Sequence, residues 1–137
     1  GLQVAFLDRL QITVTGQTVT GEQASRSLWV CGPGAYVVLK ALAFHLRGEN
    51  KDAYDLHYVI RNFPGGAAAV AAHLEPLLGD PDARLALEIL LRDFARQDAL
   101  GPRRVAEFLM GGPDEDLQAD VVGDVGDLCR RFRSGTT

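Results

Sequence analysis

The stretch Pro33–Phe63, PGAYVVLKALAFHLRGENKDAYDLHYVIRNF, decides how this chain is read. Its spacing predicts two helices joined by a polar turn. Ala35, Val38, Leu39, Leu42, Ala43 and Leu46 recur at helical intervals as one apolar stripe, and Lys40 and Arg47, seven apart, share an adjacent flank. Gly48-Glu49-Asn50 carries helix-stop and helix-start residues, and a second helix begins at Lys51-Asp52 with Leu56, Val59, Ile60 and Phe63 as its stripe. Asp52 lies four residues before Leu56 and Asp55 four before Val59. Both carboxylates therefore point toward the buried side rather than straight out to water.

Working outward, 137 residues make room for one ordinary domain with its own core. The net charge of −4 gives no global basic character that would recruit nucleic acid or an anionic membrane. No apolar run approaches the roughly 18 residues that span a bilayer, and nothing at the start reads as a signal peptide, so a soluble cytoplasmic protein is expected. Cys31 and Cys129 lack a CxxC partner and are expected to be reduced, buried thiols. The chain opens at Gly1 and runs directly into the apolar stretch Leu2–Leu7, the start either of a processed protein or of a piece of something longer.

The expected fold class is α+β. Residues 2 to 31 read as three or four short antiparallel strands: Val4, Phe6, Ile12, Val14, Val19, Leu28, Trp29 and Val30 are strand formers, with Thr13, Thr15, Thr18 and Thr20 interleaved. Gly16-Gln17 suits a tight hairpin. So small a sheet is expected to lie on the helix pair. After Pro64-Gly65-Gly66, residues 66 to 78 read as a helix that Pro76 ends or kinks. Further helices are expected over residues 83 to 96 after an Asp80 cap, 103 to 110 opened by Pro102, and 115 to 132. The arginines at 130, 131 and 133 suit the C-terminal end of that last helix, and 134 to 137 read as a frayed tail. Residues 1–64 form a strand-and-helix-pair core, and residues 65–137 a helical bundle packed on it in the same unit.

No P-loop, GxGxxG, HExxH or GxSxG motif is present, and no Cys/His pair is placed for nucleophilic work. What remains is Lys40, Arg47, Lys51, Asp52 and Asp55 within sixteen positions. Two readings stand. In one, the cations take the phosphates of a nucleotide while the carboxylates hold a base, ribose or metal. In the other, Asn50 or Asp52 caps the second helix and Lys40 and Arg47 are solvated surface cations. His45 reads as a surface or half-buried side chain, and His57 and His73 lack partners at metal-ligand spacing. Trp29 and Tyr36 read as core, and Arg103-Arg104 as helix-end charges.

At these same residues the sequence resembles a family. Val38-Leu39-Lys40-Ala41-Leu42-Ala43, then Arg47, then Lys51-Asp52-Ala53-Tyr54-Asp55-Leu56, is similar to the C-terminal motifs of the AbiEii-type nucleotidyltransferases, the toxin side of type IV toxin–antitoxin systems and their relatives. The resemblance covers about residues 2 to 64. It implies that Lys40 contacts the phosphates of an NTP, that Asp52 is the active-site base or positioning carboxylate, and that Arg47, Lys51 and Asp55 support nucleotide binding. It also implies Mg²⁺, held in the family by a Gly-Ser…Asp-x-Asp motif on an N-terminal sheet. That motif is absent here, and without its metal ligands the displacement lacks a charge clamp. For the family's further sheet carboxylate the first strand offers Asp8, whereas Ala5 occupies a place where such strands carry it. The chain thus resembles the C-terminal half of such an enzyme, whose partners are an NTP and a cognate antitoxin or the missing N-terminal catalytic half. A non-catalytic helical interaction module is the alternative.

Overall fold

Pro33 opens the central helix where its missing N–H is no loss, and Gly48, at φ 64°, closes it by giving its N–H to the Phe44 carbonyl at 2.7 Å. This helix organises a computed structural model that describes residues 2–133. In chain order the elements are α1 (Val4–Leu7), β1 (Arg9–Gln17), β2 (Gln23–Cys31), α2 (Pro33–Arg47), α3 (Asn50–Asn62), α4 (Gly66–Leu74), a 3-10 helix (Glu75–Gly79), α5 (Pro81–Asp93), α6 (Leu100–Met110) and α7 (Glu115–Arg133). The fold is α+β. Among the described residues there are two strands, in one antiparallel pair, rather than the three or four expected.

The missing strands have a physical explanation. Leu2–Leu7 is short and apolar throughout, a pattern that does not separate strand from helix, and it folds partly as α1 with Val4 buried. The hairpin turn lies at residues 18–22 rather than at Gly16-Gln17, because Gly16 pairs with Ala24 and Gln17 with Gln23. Gly21, at φ 85°, completes that loop.

Cross-strand partners share a face, so the register sorts the hairpin into two sides. One side is polar, with Thr13 beside Ser27 and Thr15 bonded to Ser25 at 2.9 Å. It also carries Trp29, which is 59% exposed rather than in the core, with the Arg9 guanidinium 4.5 Å from its ring centre. The other side carries Leu10, Ile12, Val14, Leu28 and Val30 with Arg26. Ile12, Val14 and Leu28 are exposed. The hairpin was expected to rest on the helix pair; instead most of its side chains face solvent on both sides.

The core lies among the helices. α2 packs against α3, α4 and α5, while α3 rests on α6 and α7. Because α2 has neighbours on several sides, its buried set is broader than a stripe and rotated from the one expected: Ala35, Val37, Val38, Ala41 and Phe44 are buried, while Leu39 and Leu42 are only partly covered and Leu46 is 84% exposed. Phe44 meets Phe94 with ring centres 5.6 Å apart. Gly34 lets α2 approach α4 closely, since a Cβ there would overlap the His73 and Leu74 backbone.

The remaining helices follow the punctuation of the sequence. Pro76 falls in the 3-10 helix that ends α4, and the Asp80 side chain caps α5 by accepting from the Asp82 N–H at 2.8 Å. α7 turns Val121, Val125 and Leu128 inward. The expected frayed tail, 134 to 137, lies outside the described residues. Among the described residues, no helix is long and apolar enough to cross a membrane.

Candidate functional site

The sequence Arg47-Gly48-Glu49-Asn50 turns the chain so sharply that the C-terminal half of α2 and the first turn of α3 face one another. Lys40, from α2, reaches across with its Nζ 3.2 Å from Asp52 Oδ1 and 2.7 Å from Asp55 Oδ2. Arg47 donates from Nε to Asp52 Oδ2 at 2.8 Å and from Nη2 to Oδ1 at 2.9 Å. Lys51 donates to both oxygens of Asp55, at 2.9 and 2.7 Å. All five residues singled out from the sequence therefore meet in one network.

The two carboxylates are the covered part. Asp52 is 1% exposed, whereas the side chains of Arg47 and Lys51 stand largely in solvent. Hydrogen bonds from Arg47, and then from Lys40, outweigh burial and hold the Asp52 carboxyl below the usual carboxylate range. Burial pushes Asp55 upward, but Lys40 and Lys51 together bring it below that range as well. Burial likewise works against the Lys40 charge, and its bonds to Asp55 and Asp52 more than compensate, leaving its pKa raised. Tyr36, whose ring centre is 5.7 Å from Lys40 Nζ, is pushed up by burial and by the Asp55 charge.

This arrangement bears on chemistry. A carboxylate held below its ordinary pKa is a weak proton acceptor near neutrality, so Asp52 is built to position charge rather than to take a proton. The cluster sets three cations against two carboxylates, and Glu49, close enough to act on Arg47, offsets the excess. Among the described residues no three His, Cys, Asp or Glu side chains are grouped so as to hold a metal. Asp52 and Asp55 already accept from cations, so they do not fit as ligands of Mg²⁺.

Helix capping does not describe the geometry. Glu49, not Asn50 or Asp52, stands at the N-cap of α3 and makes no side-chain cap bond. Asn50 instead accepts from Arg104 at 3.2 Å, and Asp52 is taken by Arg47 and Lys40.

Outside the cluster, pairings distant in sequence anchor the elements around it. Asp8 is buried; its Oδ2 accepts from the Ala35 N–H at 2.9 Å, capping α2, and its Oδ1 lies 2.7 Å from His73 Nδ1. A Cβ at Gly32 would overlap that carboxylate, which explains the glycine just before the helix. His57, buried on α3, sits 2.8 Å from Asp124 on α7, and Arg61 joins the same carboxylate and Asp120. Exposed His45 lies 3.3 Å from Arg92. Partners 65 or more residues apart leave no trace in local spacing, and Asp8 and His73 were not foreseen as a pair. Comparison with known protein families, characterised proteins and solved structures yields no match.

Proposed function

We propose that this chain is the nucleotide-binding half of a cytoplasmic nucleotidyltransferase-like protein of the AbiEii type, with its site at the α2–α3 turn. The observation that carries this reading is the meeting of Lys40 with Asp52 and Asp55, at 3.2 and 2.7 Å, while Arg47 and Lys51 hold the same carboxylates from the solvent side. In this reading the two exposed cations swing onto the phosphates of an NTP, and Asp52 keeps Lys40 oriented between protein and ligand. Asp52 acts as a positioning carboxylate.

Transfer of a nucleotidyl group calls for divalent metal on the phosphates, and the carboxylates present here do not supply its ligands. Those ligands would come from a separate catalytic half. The exposed apolar side of the β1–β2 hairpin, with Ile12, Val14 and Leu28, supports a partner that packs onto it.

A second reading, a non-catalytic interaction module, draws support from the same geometry. Each carboxylate of the cluster is already matched by two cations, as in a purely structural ion-pair network. Isothermal titration with ATP, GTP and CTP in the presence of Mg²⁺ separates the two. A binding isotherm with at least one nucleotide is expected; absence of binding to all three sinks the nucleotide reading and leaves the interaction module.

A further inference from the structure

Arginines in this chain are mostly spoken for. Arg47, Arg61, Arg92, Arg96, Arg130 and Arg131 each hold a carboxylate within 3.4 Å, and Arg84 donates to two backbone carbonyls. With acids outnumbering bases 18 to 14, a carboxylate is easily found. Arg103 and Arg104, adjacent on α6, make no ion pair within 4 Å among the described residues, and Asp98 is the carboxylate near enough to feel the Arg103 charge.

These two arginines line a cavity of about 290 Å³ together with Asn50, Leu100, Glu107 and Pro113. Arg104 uses one nitrogen, Nη1, to bond Asn50 at 3.2 Å. Its Nε is buried and has no acceptor, the one side-chain polar atom so stranded among the described residues. Nε and Nη2 form the edge with which Arg47 grips Asp52 elsewhere in the same molecule.

The backbone adds to the same field. Asn50 is the first residue of α3 and Leu100 the first of α6, and neither helix receives a side-chain cap at its N-terminus. Two helix N-termini thus border the cavity beside two guanidiniums, with fewer free N–H donors than a first turn usually offers, because Pro102 has none and Asp52 gives its own to the Glu49 carbonyl at 3.1 Å. Glu107 is the one opposing charge in the lining, and it makes no ion pair with Arg103 or Arg104 within 4 Å.

We propose that the cavity between the N-termini of α3 and α6 is a binding site for a phosphate group, free or on a small phosphomonoester, held by Arg103 and Arg104. The site is distinct from the Lys40 cluster and stands whether or not that cluster binds a nucleotide. The ligand's phosphate takes the Nη2 end of Arg104 and the exposed guanidinium of Arg103, and Glu107 limits affinity by repulsion.

Inorganic phosphate and ribose 5-phosphate, titrated calorimetrically into the full chain at constant ionic strength, test this. Both are expected to bind, and Arg103→Ala, an exposed position that leaves the core untouched, is expected to weaken both by about tenfold. Glu107→Gln is expected to tighten phosphate binding, a gain that loss of folding cannot mimic. Arg26→Ala, an exposed cation on the β1–β2 hairpin outside both sites, is expected to leave it unchanged. Ribose 5-phosphate binding more tightly identifies the source as a phosphomonoester, and equal or tighter binding of inorganic phosphate identifies it as the free ion. No binding of either at 10 mM, on the order of the weakest affinity a specific site shows, overturns the proposal. So does binding that Arg103→Ala and Glu107→Gln leave unchanged, or that Arg26→Ala abolishes.

Discussion

Arg47 grips Asp52 with both Nε and Nη2, at 2.8 and 2.9 Å, across the turn that joins α2 to α3. The two residues are five apart, and the bidentate contact fixes the angle at which the second helix leaves the first. It also frees Lys40 to stand between Asp52 and Asp55. The candidate site is thus a by-product of how the helix pair is tied together, which is why one variant can test stability and binding at once.

Asp52→Asn is expected to destabilise the fold by about 2 kcal/mol at neutral pH, since it leaves Lys40 and Arg47 facing a neutral amide, with the effect discounted for the exposure of Arg47. Its pH dependence has a definite sign. The folded carboxyl lies below its ordinary pKa, so its stabilisation is complete above about pH 4 and fades as the pH falls through the lower, folded value. Thermal unfolding followed between pH 7 and pH 2 should show the acid decline of the parent flattened in the variant.

Gly34→Ala is expected to cost about 1–3 kcal/mol through overpacking, because the new Cβ meets the backbone at His73 and Leu74 rather than a movable side chain. Urea unfolding should show a lower midpoint with an unchanged slope. Gly16→Ala, where a Cβ meets nothing within 4 Å, is the control and should leave the midpoint in place.

The two thiols are expected to differ in reactivity. Burial pushes Cys129 up to about 11, while Cys31, half-buried on β2, is raised first by burial and then by the Asp8 charge. Titration with a disulfide reagent at pH 8 should label Cys31 slowly and Cys129 only once denaturant opens the helices. Equal rates for the two would contradict the packing of α7.

Much of this was legible in the sequence, and the failures share a cause. The grouping of Lys40, Arg47, Lys51, Asp52 and Asp55 could be read because they lie on helices joined by a two-residue turn, where spacing fixes direction. The helix boundaries at Pro33, Gly48, Pro76 and Asp80 could be read for the same local reason. What could not be read depends on neighbours distant in sequence. Leu46 continues the apolar spacing of α2 yet lies beyond its packing partners, whereas Phe44, outside the expected stripe, finds Phe94 of the segment after α5. Trp29 reads as core because large aromatics usually are, but its strand belongs to a hairpin most of whose side chains face solvent among the described residues. The Arg103-Arg104 pair reads as ordinary helix charge until the fold sets it beside Asn50, 54 residues from Arg104.

The most direct measurement is calorimetric titration of magnesium-ATP into the parent chain and into Lys40→Met, which keeps the aliphatic stem and removes the charge, with circular dichroism confirming that both are folded. The α2–α3 site predicts that the parent binds and that the variant binds at least about tenfold more weakly, as expected for loss of one charge-assisted contact to phosphate. Equal binding by the two folded proteins, or none by the parent, would contradict it.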